Sequence, residues 1–368
     1  MKIREVEALA VSIPLPSPVA DAVRRITHRD HLIVKIRTED GVEGLGFALG
    51  YDGSRAMLAL IDEIYRPVLL GANALETEHL WAEMYRQSIQ AGRRGAALRA
   101  MSAIDIALWD LRGKAAGMPV MELLGVHRRR MRCYATGGYY RAGQTIEELV
   151  REVEAVAAQG FTAVKLKVGA LRAAEDARRV GAVRKSLGEE FDILLDANGG
   201  WKNAPEAIAA MARLEEFRPY WIEEPVRADN VAAMARIAES IRTPVATGEL
   251  EATRWAFAEL VERRAASILQ PDATVCGGVS EWLKIAHMAA AFDIPVAPHY
   301  HWDIHTQLCA SLPNAIFIEY FPAASGVKMF DALLKEPMQP VDGWIEPRTA
   351  PGFGIELDDE AVARYRIA

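Results

Sequence analysis

The stretch that decides the fold is residues 191–225, FDILLDANGGWKNAPEAIAAMARLEEFRPYWIEEP. It begins with a short apolar run and continues with APEAIAAMARLEEF, in which apolar residues recur at helical spacing. A second apolar run, YWIEEP, closes the stretch. A strand, a helix and a strand in this order predict two parallel strands that are joined by a crossover helix. Each strand ends in carboxylates, at Asp196 and at Glu223-Glu224.

The same alternation of short apolar strands and amphipathic helices extends over the middle of the chain. Eight such strands predict a parallel sheet, and that number favours a closed barrel. A doubly wound open sheet is the alternative, but the glycine fingerprint of a dinucleotide-binding turn is absent after these strands. The predicted strands are RCYATGG (132–138), AVKLKVG (163–169), FDILLDANG (191–199), YWIEEP (220–225), PVATGE (244–249), SILQPDA (267–273), IPVAPH (294–299) and AIFIEY (315–320).

The segments on either side of this region have different patterns. Residues 1–50 resemble strands, with a hairpin signal at Asp40-Gly41, and helical patterns follow as far as Gly117. After Phe321 the chain is rich in loops, and we expect this tail to pack back on the first segment. The predicted division is an N-terminal α+β segment (1–125), a barrel (126–322) and a C-terminal segment that completes the first (323–368).

Composition limits the classes of function. The 368 residues carry a net charge of −7 without a dense tract of Lys and Arg, which argues against a nucleic acid partner. Only three cysteines occur, with no CxxC pair, so we expect buried thiols and a cytoplasmic location rather than disulfides. The N-terminal residues lack the apolar centre of a signal peptide. No apolar run approaches the roughly 18 residues of a membrane span, so no membrane partner is expected.

Two lysines lie close together on the second predicted strand. In AVKLKVG, Lys165 and Lys167 share one face, because residues two apart on a strand point to the same side. Two lysines on the inner face of a barrel are costly unless negative groups lie opposite them. Solvated lysines on an edge strand are the alternative, which the flanking helices and the apolar opposite face disfavour.

Three carboxylates, Asp196, Glu223 and Glu249, end successive predicted strands. The C-terminal ends of barrel strands meet at one mouth, where three carboxylates would repel one another without a cation. Hard oxygen ligands with no soft ligand nearby suit Mg²⁺. Any one of them could instead form a salt bridge or cap a helix, but their recurrence on successive strands predicts a magnesium site.

A second pair of groups ends the sixth and seventh predicted strands. An aspartate such as Asp272 beside His299 fixes the tautomer of the imidazole and favours its charged form, which suits a group that takes up and returns a proton. His301 and His305 follow at the spacing of a two-histidine zinc site, but the glutamate of HExxH is missing from its place. We therefore expect His299 to be catalytic, His301 to contact the rim of the pocket and His305 to be structural.

The order of these groups resembles the enolase superfamily, and within it the mandelate racemase subgroup. The resemblance covers essentially the whole chain. It implies a modified TIM-type (β/α)7β barrel with an α+β capping domain formed by the N-terminal segment and the C-terminal tail. The matching motifs are AVKLKVG, DANGGW, WIEEP, TGE, QPDATVCGGVSEWLKIAHMAAAFDIPVAPH and FIEY, together with AIDIALWDLRGKAAGMPV in the first segment.

The resemblance also implies how a substrate carboxylate would be held. Lys165 would stay protonated and contact that carboxylate. Glu319 would form a hydrogen bond with a carboxylate oxygen of the intermediate, and Asn198 would assist in binding. The carboxylates implied to hold Mg²⁺ are Asp196, Glu223 and Glu249.

Two acid/base groups are implied on opposite faces of the substrate. Lys167 would be one of them, with its pKa lowered by Lys165 and Mg²⁺, and His299 would be the other, oriented by Asp272. A muconate cycloisomerase type of site would need a lysine on the sixth strand, where QPDATVCGG has none.

A site of this kind removes the proton α to a carboxylate. Elimination of the β-hydroxyl would then give a 2-keto-3-deoxy acid, so the predicted function is that of a Mg²⁺-dependent acid-sugar dehydratase. A racemase or epimerase of 2-hydroxy acids is the alternative, because two bases on opposite faces also permit inversion. A cycloisomerase and a non-catalytic relative are further alternatives.

Loops near residues 15–30 and 50–60 would supply the far end of the pocket. This surface is polar and cationic, which fits a polyhydroxylated mono- or diacid better than an aromatic acid. The residues that make it so are Arg24, Arg25, His28, Tyr51 and Arg55. These charges could instead simply solvate a mobile loop. We expect an acid sugar as the small-molecule partner and, by analogy, a symmetric homo-oligomer.

Overall fold

An antiparallel sheet of three strands forms the N-terminal part of the protein in the computed structural model, which describes residues 1–368. The turn between the second and third strands lies at Asp40-Gly41, as predicted. Gly41 has a φ of 82° there, in the left-handed region that favours glycine. The strands are β1 (Ile3–Ala20), β2 (Arg25–Thr38) and β3 (Glu43–Leu49).

Strands β1 and β2 extend beyond the point where the sequence suggested a loop. Most of residues 15–30 is strand, because Val19 pairs with Ile26 and both side chains are buried. The turn between β1 and β2 is stabilised by Asp21, whose Oδ1 accepts a hydrogen bond from the backbone N–H of Arg24 at 2.9 Å. The expected loop is therefore a long hairpin with a short, fixed tip.

Helices cover one face of this sheet. The longest helix, α4 (Ala96–Ala116), packs closely on β3 because Gly44 and Gly46 have no side chain. A Cβ on Gly44 would lie 2.0 Å from a carbonyl oxygen of the helix, and one on Gly46 would lie 1.9 Å from another. It ends at Gly117 in the left-handed region, as predicted. The helices are α1 (Ser54–Leu60), a π-helical turn (Ile61–Tyr65), α2 (Arg66–Leu69), α3 (Thr77–Ser88), α4 (Ala96–Ala116) and α5 (Val120–Leu124).

Seven parallel strands and one single-residue bridge close a barrel. The last strand pairs with the first, and Val296 bridges Leu269 on one side and Ala315 on the other. The predicted seventh strand, 294–299, is reduced to this bridge, because its prolines have no N–H for a ladder. The strands are β4 (Met131–Thr136), β5 (Ala163–Lys167), β6 (Asp192–Asp196), β7 (Trp221–Glu223), β8 (Val245–Thr247), β9 (Ile268–Leu269) and β10 (Ile318–Tyr320).

A helix follows each barrel strand or bridge except the last, which completes the (β/α)7β arrangement and excludes the open doubly wound sheet. These helices are α6 (Ile146–Ala157), α7 (Ala173–Leu187), α8 (Ala204–Leu214), α9 (Val231–Ser240), α10 (Thr253–Glu262), α11 (Gly278–Ala291) and α12 (Trp302–Ala310). Short 3-10 turns occur at Glu215–Phe217, Ala323–Ser325 and Phe330–Leu333.

The inner faces of the barrel strands form an apolar floor. Its members are Tyr134, Ala163, Leu194, Trp221, Ala246, Ile268, Ala297 and Phe317. Because side chains two apart on a strand point the same way, the next inward position on each strand lies one layer higher, toward the C-terminal mouth. The residues at these positions are Thr136, Lys165, Asp196, Glu223, Gly248, Gln270, His299 and Glu319. A polar layer therefore covers the floor.

The C-terminal tail contacts both parts of the protein. Strand β11 (Trp344–Ile345) pairs with β4 of the barrel, and helix α13 (Asp359–Tyr365) precedes the last residues. The end of the chain returns to β1, where the N–H of Ile367 donates to the carbonyl of Ala10 at 2.8 Å. The expected packing of the tail on the first segment is confirmed. The predicted boundaries at 125 and 322 fall between elements, and the division into domains stays a prediction.

The remaining expectations from composition concern cysteines and membrane spans. Cys133, Cys276 and Cys309 are free and buried, as predicted. None of the helices combines the length and the apolar composition that a bilayer crossing requires.

Helix α4 also joins the sheet segment to the barrel through buried hydrogen bonds. The Asp105 carboxylate accepts from the backbone N–H of Ser280 at 2.9 Å and from its hydroxyl at 2.7 Å. The same hydroxyl accepts from Nε1 of Trp109 at 2.9 Å. All three residues are buried, so water cannot replace a lost partner.

Replacing Asp105 with alanine should destabilise the protein, because two donors of Ser280 would lose their acceptor. Each unsatisfied buried donor costs about 1–3 kcal/mol, so we expect the free energy of unfolding to fall by roughly 2–6 kcal/mol. A lower midpoint of urea unfolding would show this. The control is Asp62→Ala, since Asp62 is exposed and pairs with Arg66 at the surface. Equal midpoints for the two variants would contradict the role of Asp105.

Candidate active site

Both lysines of β5 are buried, Lys165 in the polar layer and Lys167 two residues nearer the mouth, so the edge-strand alternative is wrong. Nζ of Lys165 lies 2.9 Å from Oε1 of Glu223 and 2.7 Å from Oε1 of Glu319. It also lies 3.5 Å from Oδ2 of Asp196. Nζ of Lys167 contacts the same Asp196 oxygen. Each buried ammonium is therefore balanced by at least one carboxylate from a neighbouring strand.

The three carboxylates expected to hold a metal converge at the mouth of the barrel. Oxygens of Asp196, Glu223 and Glu249 lie within 4.8 Å of one another, and all three side chains are buried. Asp196 and Glu223 are direct partners in the pairing of β6 with β7. Glu249 follows Gly248, whose φ of 131° is open to glycine but not to larger residues, at the end of β8.

The chemistry of this cluster fits a divalent cation. Burial and the Asp196 carboxylate raise the pKa of Glu223 to about 8, so its charged form is disfavoured in the absence of a cation. Burial also opposes the charge of Asp196, but Lys167 and Lys165 outweigh that effect and lower its pKa to about 2. The donor set consists of hard oxygen ligands, which suit Mg²⁺.

Only the first glutamate of the Glu223-Glu224 pair joins the cluster. Glu224 has a φ of 39° and is buried, with one carboxyl oxygen that has no hydrogen-bond partner. It lines a separate pocket, shared with Arg94 and Arg227. Burial and nearby carboxylates, Glu249 first among them, raise the pKa of Glu224.

His299 is oriented by Asp272, as the sequence suggested. Nδ1 of His299 lies 2.9 Å from Oδ2 of Asp272, and Nε2 lies 3.6 Å from Oε2 of Glu249. The other Asp272 oxygen accepts from the N–H of Thr274 at 2.7 Å, which fixes the carboxylate. Burial disfavours the imidazolium, but the carboxylates of Glu249 and Asp272 outweigh it, so the pKa of His299 is raised.

The expected lowering of the Lys167 pKa is not found in this arrangement. Burial acts in that direction, but the Asp196 carboxylate outweighs it and raises the pKa of Lys167. Asp196 contacts Lys167 directly, a pairing that the sequence alone does not indicate.

Glu319 is held from three sides. Its Oε1 accepts from the Thr136 hydroxyl at 2.6 Å and lies near Lys165, while Oε2 accepts from the N–H of Tyr300 at 2.7 Å. Burial opposes its charge, but Lys165 and His299 outweigh this and lower the pKa of Glu319. Thr136 was not anticipated, although its place two residues after the floor residue Tyr134 indicates an inward position.

A cavity lies above the polar layer. Lys165, Lys167, Asn198, Glu249 and His299 line it from the barrel together with Glu319. Arg24 and Tyr51, both predicted, line it from the N-terminal hairpin and the following loop. The structure adds Arg29, Tyr139, Tyr300 and Phe321.

The Tyr51 ring is fixed between two cations. The guanidinium carbons of Arg24 and Arg99 each lie 4.7 Å from its centroid. Tyr51 itself has a φ of 44°, which places the loop against the hairpin tip. The predicted polar end of the pocket is therefore ordered by cation–π contacts, and a mobile solvated loop is not what the structure shows.

Two predicted substrate-binding residues do not line the cavity. His28 is half-buried and lines a small adjoining pocket with Arg24, Arg25, Arg29 and Tyr51, and its Nε2 is 2.7 Å from Oδ1 of Asp52. His301 is fully buried, with its ring against those of Phe47 and Phe330. His301 therefore packs in the core rather than at the rim, because the turn after His299 directs it toward the N-terminal sheet.

His305 has a structural place, as expected. Its Nε2 accepts a hydrogen bond from the N–H of Ala273 at 3.0 Å, which fixes the loop after Asp272. His301 and His305 are in no cluster that could hold a metal ion, so the zinc alternative is not supported.

Several cavity residues were missed because their signals are weak. Arg29 stands in the polar run THRDH (27–31), which is unusual within a buried strand and could have indicated a site. Tyr139 directly follows the predicted strand 132–138, and Tyr300 directly follows the predicted strand 294–299. The local sequence pattern does not indicate in which direction a side chain points at these positions.

Two family models match the chain. Residues 3–125 match the mandelate racemase / muconate lactonizing enzyme N-terminal domain, and residues 148–361 match the enolase C-terminal domain-like model. An arabinonate dehydratase of Saccharolobus solfataricus is 35% identical over 90% of this chain and 89% of that protein. An L-talarate/galactarate dehydratase of Salmonella typhimurium is 35% identical over 95% and 87%. A D-galactarolactone cycloisomerase of Agrobacterium fabrum is 34% identical over 100% and 99%.

Solved structures agree with this placement. A racemase from Streptomyces coelicolor with bound magnesium has a TM-score of 0.93 at 32% identity, over 99% of this chain and 100% of that one. An L-talarate dehydratase from Polaromonas, complexed with Mg and L-glucarate, has a TM-score of 0.91 at 33% identity, over 100% and 98%. The chain belongs to the mandelate racemase subgroup of the enolase superfamily.

Proposed function

We propose that this protein is a Mg²⁺-dependent acid-sugar dehydratase. The observation that carries the proposal is one cavity lined by Glu249 of the three-carboxylate cluster and by two acid/base candidates, Lys167 and His299. The relatives named arabinonate dehydratase and L-talarate/galactarate dehydratase support the reaction class. The reaction converts a polyhydroxylated acid to a 2-keto-3-deoxy acid and water.

The metal cluster and its neighbours would bind the substrate carboxylate. Mg²⁺ bound by the three carboxylates supplies Lewis-acid stabilisation of negative charge on the carboxylate oxygens. Lys165 keeps its proton, because the buried carboxylates of Glu223 and Glu319 outweigh the effect of burial and raise its pKa. Its ammonium donates hydrogen bonds where charge develops, and Asn198 faces the same cavity. The metal ligands in this proposal are Asp196, Glu223 and Glu249.

The two acid/base groups would divide the proton transfers. Lys167 takes the proton from the carbon α to the carboxylate, which requires that its ammonium first loses its own proton and its contact with Asp196. His299, oriented by Asp272, gives its proton to the β-hydroxyl, and the C–O bond breaks with loss of water. The resulting enol takes up a proton at the β-carbon and loses the proton of its hydroxyl to give the keto acid.

A lactone-forming or lactone-opening reaction is the second candidate. The observation that favours it is the cycloisomerase relative, which matches the full length of this chain. The same α-proton would be removed, but a ring oxygen would leave instead of a free hydroxyl. Racemisation or epimerisation uses the same pair of bases without any leaving group.

The reaction itself can be identified in D₂O. We expect incubation with Mg²⁺ and a panel of acid sugars to yield a keto acid that semicarbazide traps. Epimerisation would instead give α-deuterium without keto acid, and cycloisomerisation would consume only lactones. A parallel incubation with EDTA is the control and should show no product. Exchange without keto acid for every acid tested would overturn the dehydratase proposal.

His299→Asn should abolish dehydration, because asparagine cannot give a proton to the leaving hydroxyl. We expect kcat to fall by about 10³-fold, within the usual range for a general acid. Magnesium binding, measured by calorimetry, should stay close to that of the wild type. His287→Asn is the matched control, since His287 is exposed on α11. Retained turnover in His299→Asn would exclude this role.

Glu223→Gln should weaken Mg²⁺ binding by more than about 10-fold, because a charged ligand is lost. The neighbouring Glu224→Gln provides a matched control, since Glu224 is outside the cluster and burial raises its pKa. Calorimetric titration with Mg²⁺ measures both without any substrate. A larger loss in Glu224→Gln than in Glu223→Gln would show that the ligands are assigned wrongly.

Two further expectations stay predictions. The homo-oligomer is expected by analogy with related enzymes. The cytoplasmic location is expected from the small number of cysteines and the absence of disulfides.

A further inference from the structure

We infer that the substrate is a dicarboxylic acid sugar, whose second carboxylate binds Arg29 at the cap side of the cavity. This inference rests on the proposed function and names the substrate class of the same site. The sequence alone left open whether a mono- or a diacid would bind.

Arg29 carries a buried charge without an anionic partner in the chain. Its side chain lines the cavity, and the residue is 5% exposed. The one hydrogen bond of its guanidinium runs from Nε to the backbone carbonyl of Val327 at 3.1 Å, and no carboxylate forms an ion pair with it. A buried guanidinium is costly unless an anion pairs with it. Its two terminal nitrogens are the donors that a carboxylate accepts from in a fork.

The surroundings of Arg29 offer further hydrogen-bond donors. Its guanidinium carbon lies 5.5 Å from the centroid of the Tyr300 ring. The hydroxyl of Tyr300 is buried and has no hydrogen-bond partner. Tyr139 lines the same cavity. A carboxylate placed here would accept from both the guanidinium and the phenol.

The other arginine of the cavity is already balanced. Nε of Arg24 lies 2.8 Å from Oδ2 of Asp21, and its guanidinium stacks on Tyr51. Of the two cavity arginines, Arg29 is therefore the one whose charge has no carboxylate partner and can pair with a ligand. The first carboxylate of the substrate belongs to the barrel side, where Lys165 and the carboxylate cluster lie, so a second one is needed at the cap side.

A monoacid would leave this charge unpaired. Its terminal hydroxymethyl group is neutral and would displace water from Arg29 without supplying an anion. Sites that are built to pair a buried polar group discriminate strongly against ligands that lack the partner. The geometry therefore favours a diacid over the monoacid of the same configuration.

The test uses matched pairs of six-carbon acids, each diacid with the monoacid of the same configuration at the shared centres. With the wild-type enzyme and Mg²⁺, we expect kcat/KM for the best diacid to exceed that for its monoacid by at least about 10-fold. Arg29→Gln should lower kcat/KM for the diacid by about 10- to 100-fold, as expected for a lost charge-assisted pair. The ratio of kcat/KM for the diacid to kcat/KM for the monoacid should fall as well.

Arg25→Gln is the matched control, because Arg25 is exposed on the same strand and does not line the cavity. It should leave the ratio unchanged. A wild-type ratio near one, or a preference for the monoacid, would overturn the inference while the dehydratase proposal stands. Turnover of neither acid would overturn the dehydratase proposal instead. Because the wild-type ratio decides the matter, the test does not depend on the folding of Arg29→Gln.

Discussion

The balance of buried charge at the mouth of the barrel is the constraint on which the rest of the structure depends. The two-residue period of the strands places an apolar floor and, above it, a layer of lysines and carboxylates. Lys165 is tolerated there because Glu223 and Glu319 lie within 3 Å of its ammonium. Glu223 also belongs to the carboxylate cluster with Asp196 and Glu249, so charges that balance the buried lysine are also ones that the proposed chemistry uses.

The N-terminal sheet completes this site rather than only covering it. Its hairpin brings Arg24 and Arg29 over the barrel, and the loop after β3 brings Tyr51. Helix α4 holds this sheet in place through Asp105 and its bonds to Ser280 in the barrel. In the proposed function, the groups that distinguish one acid from another therefore come from a different part of the chain than the groups that perform the chemistry.

Much of the site was predictable from sequence because strand ends carry a strong local signal. A short apolar run followed by a carboxylate, lysine or histidine indicates both a strand and its mouth-facing residue, as for Asp196 and His299. The seventh strand was less regular than predicted, because its prolines cannot join a ladder. His28 and His301 were assigned to the pocket from their position in the chain, and the structure places them outside it.

The sequence by itself favoured the barrel, indicated the family and identified the charged residues of the polar layer, because period, order and residue type along the chain suffice for these. Only the tertiary structure decided which charges meet. It paired Lys167 with Asp196 and left Arg29 without an anion inside the cavity. The physical reason is that pairing of buried charges depends on distances across strands and between the hairpin and the barrel, which no local pattern records.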